Sequence, residues 1–252
     1  MSSSGTDSPW FRRFHPADRA PARIVCFPHA GGAASYYLPV SRALSPAVDL
    51  LAAQYPGRQD RRTEPCIESV PALADEAFKA LLPWADRPLT FFGHSMGALV
   101  AFEVARRFGQ EGLAGPVHLF ASGRRAPSRH RDEDVHRRGD AALIAEMVAL
   151  GGTDPRLLDD AEVLRMVLPA VRGDYTAVET YRYRPGPDLI CPVTALTGDA
   201  DPRTTIEEAR AWSQHTTGAF DLQVYQGGHF FLSSRADEVI GMLRTHFAAA
   251  TA

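Results

Sequence analysis

Short, largely apolar runs alternate along the chain with stretches whose apolar residues recur at helical spacing. Residues 23–27 (RIVCF), 50–54, 89–92 (LTFF), 117–122 (VHLFAS), 193–197 (VTALT) and 222–225 show no polar alternation. Runs of that kind predict strands covered on both faces. Residues 69–82 predict a helix, with Ser69 as N-cap and Pro71 in the first turn. Residues 96–110 place Leu99, Phe102, Glu103 and Arg106 at helical spacing, and Gly109 or Gly112 can end that helix. Residues 205–212 and 236–247 complete the helical set. Strand–helix alternation predicts an α/β fold with a mostly parallel central sheet and helices on both faces.

One segment breaks the alternation. Residues 126–187 contain no strand pattern. A charged stretch at 129–140 comes first, followed by helical patterns at 141–150 and 161–183. The second carries Leu164, Val167, Leu168, Val171, Tyr175, Val178 and Tyr181 on or near one stripe, with Pro169 and Gly173 as kink positions. Helices without an intervening strand predict a lid inserted over the carboxyl edge of the sheet, its stripe (Leu164, Leu168, Val171, Tyr175) lining or covering a small pocket there. The alternative is a pair of ordinary core helices.

Composition narrows the class. The chain has 252 residues, 45% of them hydrophobic, which suits a single domain over 1–252. Residues 1–10 are expected to form a disordered N-terminal tail. The net charge of −3 gives no reason to expect a nucleic-acid partner. Cys26, Cys66 and Cys191 are widely spaced and support neither a disulfide framework nor a zinc site; Cys26 and Cys191 read as small buried hydrophobes. No signal-peptide pattern and no run of about 18 apolar residues is present. The expectation is a cytoplasmic protein without membrane contact.

The chemistry centres on Gly93-His94-Ser95-Met96-Gly97. This pentapeptide resembles the nucleophile elbow of α/β-hydrolases, in which a serine sits on a sharp strand-to-helix turn and flanking side chains would collide with neighbouring backbone. The pattern alone is weak; a strand before it and a helix after it supply the context it needs. A serine hydroxyl needs a base and an orienting acid, and in this fold the chain order is Ser, acid, His. His229, in Gly227-Gly228-His229-Phe230 after the last strand, is the candidate base among nine histidines. His94 is expected to pack structurally. In Gly198-Asp199-Ala200-Asp201-Pro202, Asp199 suits a turn-stabilising role and Asp201 the acid. The oxyanion of an acyl-transfer intermediate needs two backbone N–H donors. Met96 supplies one, and Pro28-His29-Ala30-Gly31-Gly32 the other, through Ala30 or its neighbour Gly31.

Taken together, FPHAGG at 27–32, YPGR at 55–58, GHSMGALVAFE at 93–103, SGRRAP at 122–127, GDADP at 198–202 and GGHFFL at 227–232 resemble the type II thioesterases of polyketide synthase and nonribosomal peptide synthetase systems. The resemblance implies hydrolysis of acyl groups from the phosphopantetheine arm of acyl carrier and peptidyl carrier proteins, clearing stalled or mis-primed synthases. It implies Ser95, Asp201 and His229 as triad, the backbone amides of Ala30 and Met96 as oxyanion hole, and no cofactor or metal. Short decarboxylated acyl groups would be favoured. Rival readings are a carboxylesterase or lipase of the same fold, a hydrolase-fold binding protein without catalysis, and a terminal thioesterase domain of a synthase. Carrier proteins are acidic around the pantetheine serine, so Arg124, Arg125, Arg129, Arg131, Arg137 and Arg138 form a candidate docking patch, diluted by Asp132, Glu133 and Asp134.

Overall fold

The computed structural model describes residues 8–152 and 160–250. Its strands are β1 (Phe11–Arg12), β2 (Arg23–Phe27), β3 (Asp49–Ala53), β4 (Leu89–His94), β5 (His118–Ser122), β6 (Val193–Gly198) and β7 (Phe220–Tyr225). They form one sheet in the order β1-β3-β2-β4-β5-β6-β7, parallel except for the antiparallel β1–β3 pair. The architecture is that of an α/β-hydrolase fold. The helices are α1 (Leu38–Leu44), α2 (Val70–Leu81), α3 (Met96–Gln110), α4 (Asp140–Leu150), α5 (Ala161–Glu179), α6 (Ile206–Arg210), α7 (Phe231–Ser234) and α8 (Ala236–Ala250).

Every residue of β2, β3, β4 and β6 is buried, because helices cover both faces of the sheet. On one face, Val25, Leu51 and Phe91 pack with Leu73 and Ala77 of α2 and with Leu99 and Phe102 of α3. On the other, Ile24, Leu50 and Phe120 pack with Leu44 of α1 and with Val239, Leu243 and Phe247 of α8. These two faces explain the unbroken apolar runs. β7 is an edge strand and only half-buried. As expected, the Ser69 hydroxyl caps α2, accepting from the Ala72 N–H.

Strand order reverses at β2, whose neighbours are β3 and β4. Such a switch point opens a crevice at the carboxyl ends of the strands. The loop after β2 and the turn after β4 both begin there, which brings residues 28–32 against the 93–97 turn.

One expectation needs adjustment. Residues 1–7 of the expected tail lie outside the described residues, but Trp10 is buried, its ring 6.5 Å from that of Tyr55, and Phe11 pairs with Ala53. Two large aromatic rings find apolar cover there, so the chain is already part of the fold at Trp10. Between β5 and β6 the described residues hold no strand, only α4, α5 and a short 3₁₀ turn at Val135–Arg137. Residues 153–159 of the expected lid lie outside the described residues.

Candidate active site

β4 runs directly into α3 through Ser95, which adopts φ +55° and ψ −116°. A non-glycine residue rarely holds a positive φ, and such strain concentrates at functional sites. The turn is tight because Gly93 and Gly97 lack side chains. A Cβ on Gly93 would overlap the Gly97 carbonyl, and one on Gly97 would overlap the Phe27 carbonyl. The Ser95 N–H donates to the Ser122 carbonyl at 2.8 Å, which ties the turn to the end of β5.

His229 follows β7 on a loop that returns to this point. Its Nε2 lies 2.9 Å from Ser95 Oγ, and its Nδ1 lies 2.9 and 3.0 Å from the two carboxylate oxygens of Asp201. Both Asp201 and His229 are buried. Asp201 also accepts the Arg203 N–H at 2.8 Å. Asp199 lies elsewhere, accepting the Gly227 N–H at 2.9 Å, which pins the base of the histidine loop to the acid loop. The structure thus brings together Ser95, His229 and Asp201 and separates Asp199 from them.

His94 is fully buried, with Nδ1 3.0 Å from Ser122 Oγ. His29 stacks edge-on against Tyr36 and Phe230. Burial, and then the proximity of His229, hold both rings neutral: His94 falls well below the ordinary histidine value and His29 falls to about 3. Neither ring competes with His229 for a proton near neutral pH.

The loop after β2 is fixed from an unexpected direction. Asp174 of α5, fully buried, accepts the Gly31 N–H at 2.7 Å and forms a two-pronged pair with Arg58 at 2.5 and 2.8 Å. Arg58 in turn donates to the Gly32 carbonyl at 3.1 Å. The Gly31 N–H is therefore occupied. Among the described residues no hydrogen bond engages the N–H of Ala30 or Met96. Asp174 was not singled out from the sequence. The available signal is a carboxylate between Val171 and Tyr175 on a helix face that should be apolar, which calls for a buried partner.

A cavity of about 170 Å³ opens on Ser95 and His229, walled by His29, Ala30 and Gly31 on one side. Met147, Leu150, Val163, Val167, Val171 and Tyr175 of α4 and α5 close the other. Val171 and Tyr175 face it as expected, but Leu164 and Leu168 do not line it. Leu168 packs instead against Val135 and Leu143. The cavity-facing row is 163, 167, 171 and 175: Val171 and Tyr175 match the expected stripe, while Val163 and Val167 take the places expected for Leu164 and Leu168, because the partner of Leu168 is the 3₁₀ turn and α4.

The arginine patch is also smaller than expected. Arg125 is buried and donates to Glu133 at 2.5 Å, and Arg124 lines an inner cavity beside Ser95. Arg131 pairs with Glu208 and Arg138 with Asp134. Arg129 and Arg137 remain exposed without a carboxylate partner among the described residues. Cys26 and Cys191 are buried and Cys66 is half-buried. Among the described residues no group of His, Cys, Asp or Glu could hold a metal ion, and no helix is long and apolar enough to cross a membrane.

The family model described as a thioesterase domain matches residues 22–247. The chain is 53% identical over 238 residues to the probable cadicidin biosynthesis thioesterase of Streptomyces griseus, covering 94% of this chain and 66% of that protein. It is 51% identical over 238 residues to the thioesterase PikA5 of Streptomyces venezuelae, covering 94% and 85%. Among solved structures, the type II thioesterase BorB from the borrelidin biosynthetic cluster superposes with a TM-score of 0.89 at 50% identity, covering 94% of this chain and 97% of that one. The RedJ thioesterase from the prodiginine pathway of Streptomyces coelicolor gives 0.87 at 38% identity, covering 93% and 94%. With this match over nearly the whole fold, the chain belongs to the thioesterase family, its high-identity relatives being type II thioesterases of polyketide and nonribosomal-peptide clusters.

Proposed function

We propose that this enzyme hydrolyses acyl groups from the phosphopantetheine thiol of acyl carrier and peptidyl carrier domains, relieving stalled or mis-primed synthases, by Ser–His–Asp covalent catalysis. The observation that carries the reading is the hydrogen-bonded relay Asp201–His229–Ser95 at a strained turn that faces a largely apolar cavity.

Ser95 Oγ attacks the thioester carbonyl carbon while His229 Nε2 takes its proton. Asp201 holds the imidazole in the tautomer that leaves Nε2 free to accept, and stabilises the imidazolium that forms. The carbonyl oxygen gains charge and is met by the N–H groups of Ala30 and Met96. The Gly31 N–H already donates to Asp174, which supports Ala30 over Gly31 for that role. Met96 opens α3, so the positive end of the helix dipole adds to the field. The C–S bond then breaks. Thiols have pKa values near 8.5, so the thiolate leaves readily and takes the proton from His229. Water enters next, His229 takes its proton, and the hydroxyl attacks the acyl-serine. The acid departs and Ser95 recovers the proton. These steps balance without a cofactor.

The test is turnover of one acyl group on four carriers: holo-carrier protein, coenzyme A, a pantetheine fragment and a matched oxygen ester, with a fluorophosphonate label locating the nucleophile. The expected result is labelling at Ser95 and the highest kcat/KM on carrier protein. Preference for the oxygen ester would identify a carboxylesterase. No labelling and no turnover would identify a binding protein.

A further inference from the structure

The chain carries a cationic side chain at the triad that the mechanism above does not use. β5 ends at Ser122, whose carbonyl anchors Ser95; Gly123 turns the backbone with φ +58°, and Arg124 follows. Its carbonyl accepts the Trp212 indole N–H at 2.8 Å, which fixes the main chain there. The side chain lines a second, smaller cavity of about 40 Å³ together with Ala30, Ser95, Tyr175, Glu179 and His229.

The charged groups around this cavity are matched, with one exception. Glu133 accepts from Arg125 at 2.5 Å and from Arg203 at 2.7 Å. Arg203 also donates to Glu146 at 2.9 Å. Glu179 accepts from the N–H groups of Val135 and His136 at 3.2 and 3.0 Å and contacts the His136 ring at 2.5 Å. Among the described residues no acceptor meets the Arg124 guanidinium; the residue is half-buried, and its Nε is the nitrogen sealed from solvent. Leu150 and Val178 complete the wall. Burial, reinforced by the charge of Arg125, lowers the Arg124 pKa to about 9, which still leaves it cationic at neutral pH. A guanidinium presents five N–H donors and no acceptor, and an unmet buried donor is costly.

We propose that Arg124 is a specificity-determining residue that donates to an oxygen on the β-carbon of the acyl group, so that 3-oxoacyl thioesters are preferred over saturated ones of equal length. The proposal rests on Ser95 being the nucleophile. The cavity begins at Ser95 and has room for roughly three water-sized groups, which matches the α-carbon, the β-carbon and its oxygen. A saturated chain placed there leaves the sealed Nε–H of Arg124 unsatisfied, whereas a β-oxygen supplies a charge-assisted hydrogen bond. A site built to hydrogen-bond a substrate oxygen discriminates strongly against the analogue that lacks it.

The experiment compares butanoyl- and 3-oxobutanoyl-pantetheine thioesters, which differ by one carbonyl oxygen. Each kcat/KM is divided by the rate of hydroxide hydrolysis of the same thioester, removing intrinsic reactivity. The wild-type enzyme should favour the 3-oxo substrate by about tenfold to hundredfold. Arg124→Met should bring the ratio toward one, and Arg124→Lys should restore it in part. An unchanged ratio in Arg124→Met, or equal losses on both substrates, would overturn the proposal. Should Arg124→Met fail to fold, calorimetry on the wild-type enzyme decides. The 3-oxobutanoyl amide of aminopantetheine should bind more tightly than the butanoyl amide, and equal affinities would overturn the assignment. Failure to hydrolyse either thioester would count against the thioesterase mechanism, while the amide affinities would still judge Arg124.

Discussion

Ser95 is held at φ +55° by a strand on one side, a helix on the other, and two glycines that let them meet. A backbone in that region costs about 1–3 kcal/mol and persists only where the surroundings dictate it. The strain lifts the hydroxyl toward His229 instead of into the core. Ser95→Ala should leave the fold intact and reduce thioester turnover on the order of 10⁴-fold or more; retention of a tenth of the activity would dismiss Ser95 as nucleophile. Asp201→Asn should be nearly as severe, because the amide cannot hold His229 in the productive tautomer. Asp199→Asn should be mild, since its partner is the Gly227 N–H and an amide oxygen can still accept from it. Comparing kcat for the two variants ranks the aspartates, and the reverse order would move the acid to Asp199. These residues were legible in the sequence because each belongs to a short motif whose backbone geometry is local. Asp174 and Arg124 were not, because what they do depends on residues distant in the chain. Nothing local distinguishes Arg124 from Arg125, although one is unpaired and the other is bound to Glu133.

Helix α5 acts on the site twice from one face. Val163, Val167, Val171 and Tyr175 close the cavity, while Asp174 reaches past it to the Gly31 N–H and Arg58. The helix that covers the substrate therefore also sets the loop carrying Ala30. Removing one member of a buried ion pair leaves the other charge uncompensated, at about 3–5 kcal/mol. Asp174→Ala should lower the melting temperature and also lower kcat, since Gly31 and its neighbour Ala30 lose their anchor. A variant as stable and as active as wild type would mean that the loop holds itself. The cavity of about 170 Å³ is small beside the ~300–1,000 Å³ pockets that hold drug-sized ligands. Propionyl thioesters should accordingly turn over faster than palmitoyl ones, and equal kcat/KM values would show that the long chain lies outside this cavity. The existence and class of these elements were readable from periodicity, but the register of the α5 stripe was not. Helical residues one position apart lie 100° around the axis, and which neighbour takes Leu168 depends on Val135 and α4. Strand β1 escaped notice because its two residues are too few to display a period.

Across the whole molecule, four of the histidines packed around the sheet, His29, His94, His118 and His215, are held below their ordinary value. His94 lies well below its ordinary value and His29 near 3, both chiefly through burial and then through His229. His118 and His215 lie near 4, again with burial as the largest cause. In the unfolded chain each would titrate near the ordinary value of about 6.5. Between that value and the folded one, the unfolded state binds protons that the folded state refuses. Stability therefore falls as pH drops below about 6.5 and continues to fall toward the folded pKa values. Each fully buried ring that takes up a proton on unfolding contributes about 1.4 kcal/mol per pH unit to that slope. His118 and His215 add in the same direction, His118 less because it is only half-buried. Urea unfolding at pH 7, 6, 5 and 4.5 should therefore show a steep acid-side loss. His94→Gln, which keeps a polar side chain but cannot titrate, should be less stable than wild type at pH 7 through lost packing and yet lose stability less steeply below pH 6. A variant slope parallel to that of wild type would mean that His94 accepts its proton in the folded protein. The imidazolium would then sit 5.3 Å from the His229 ring, and catalysis should fail over the same pH range.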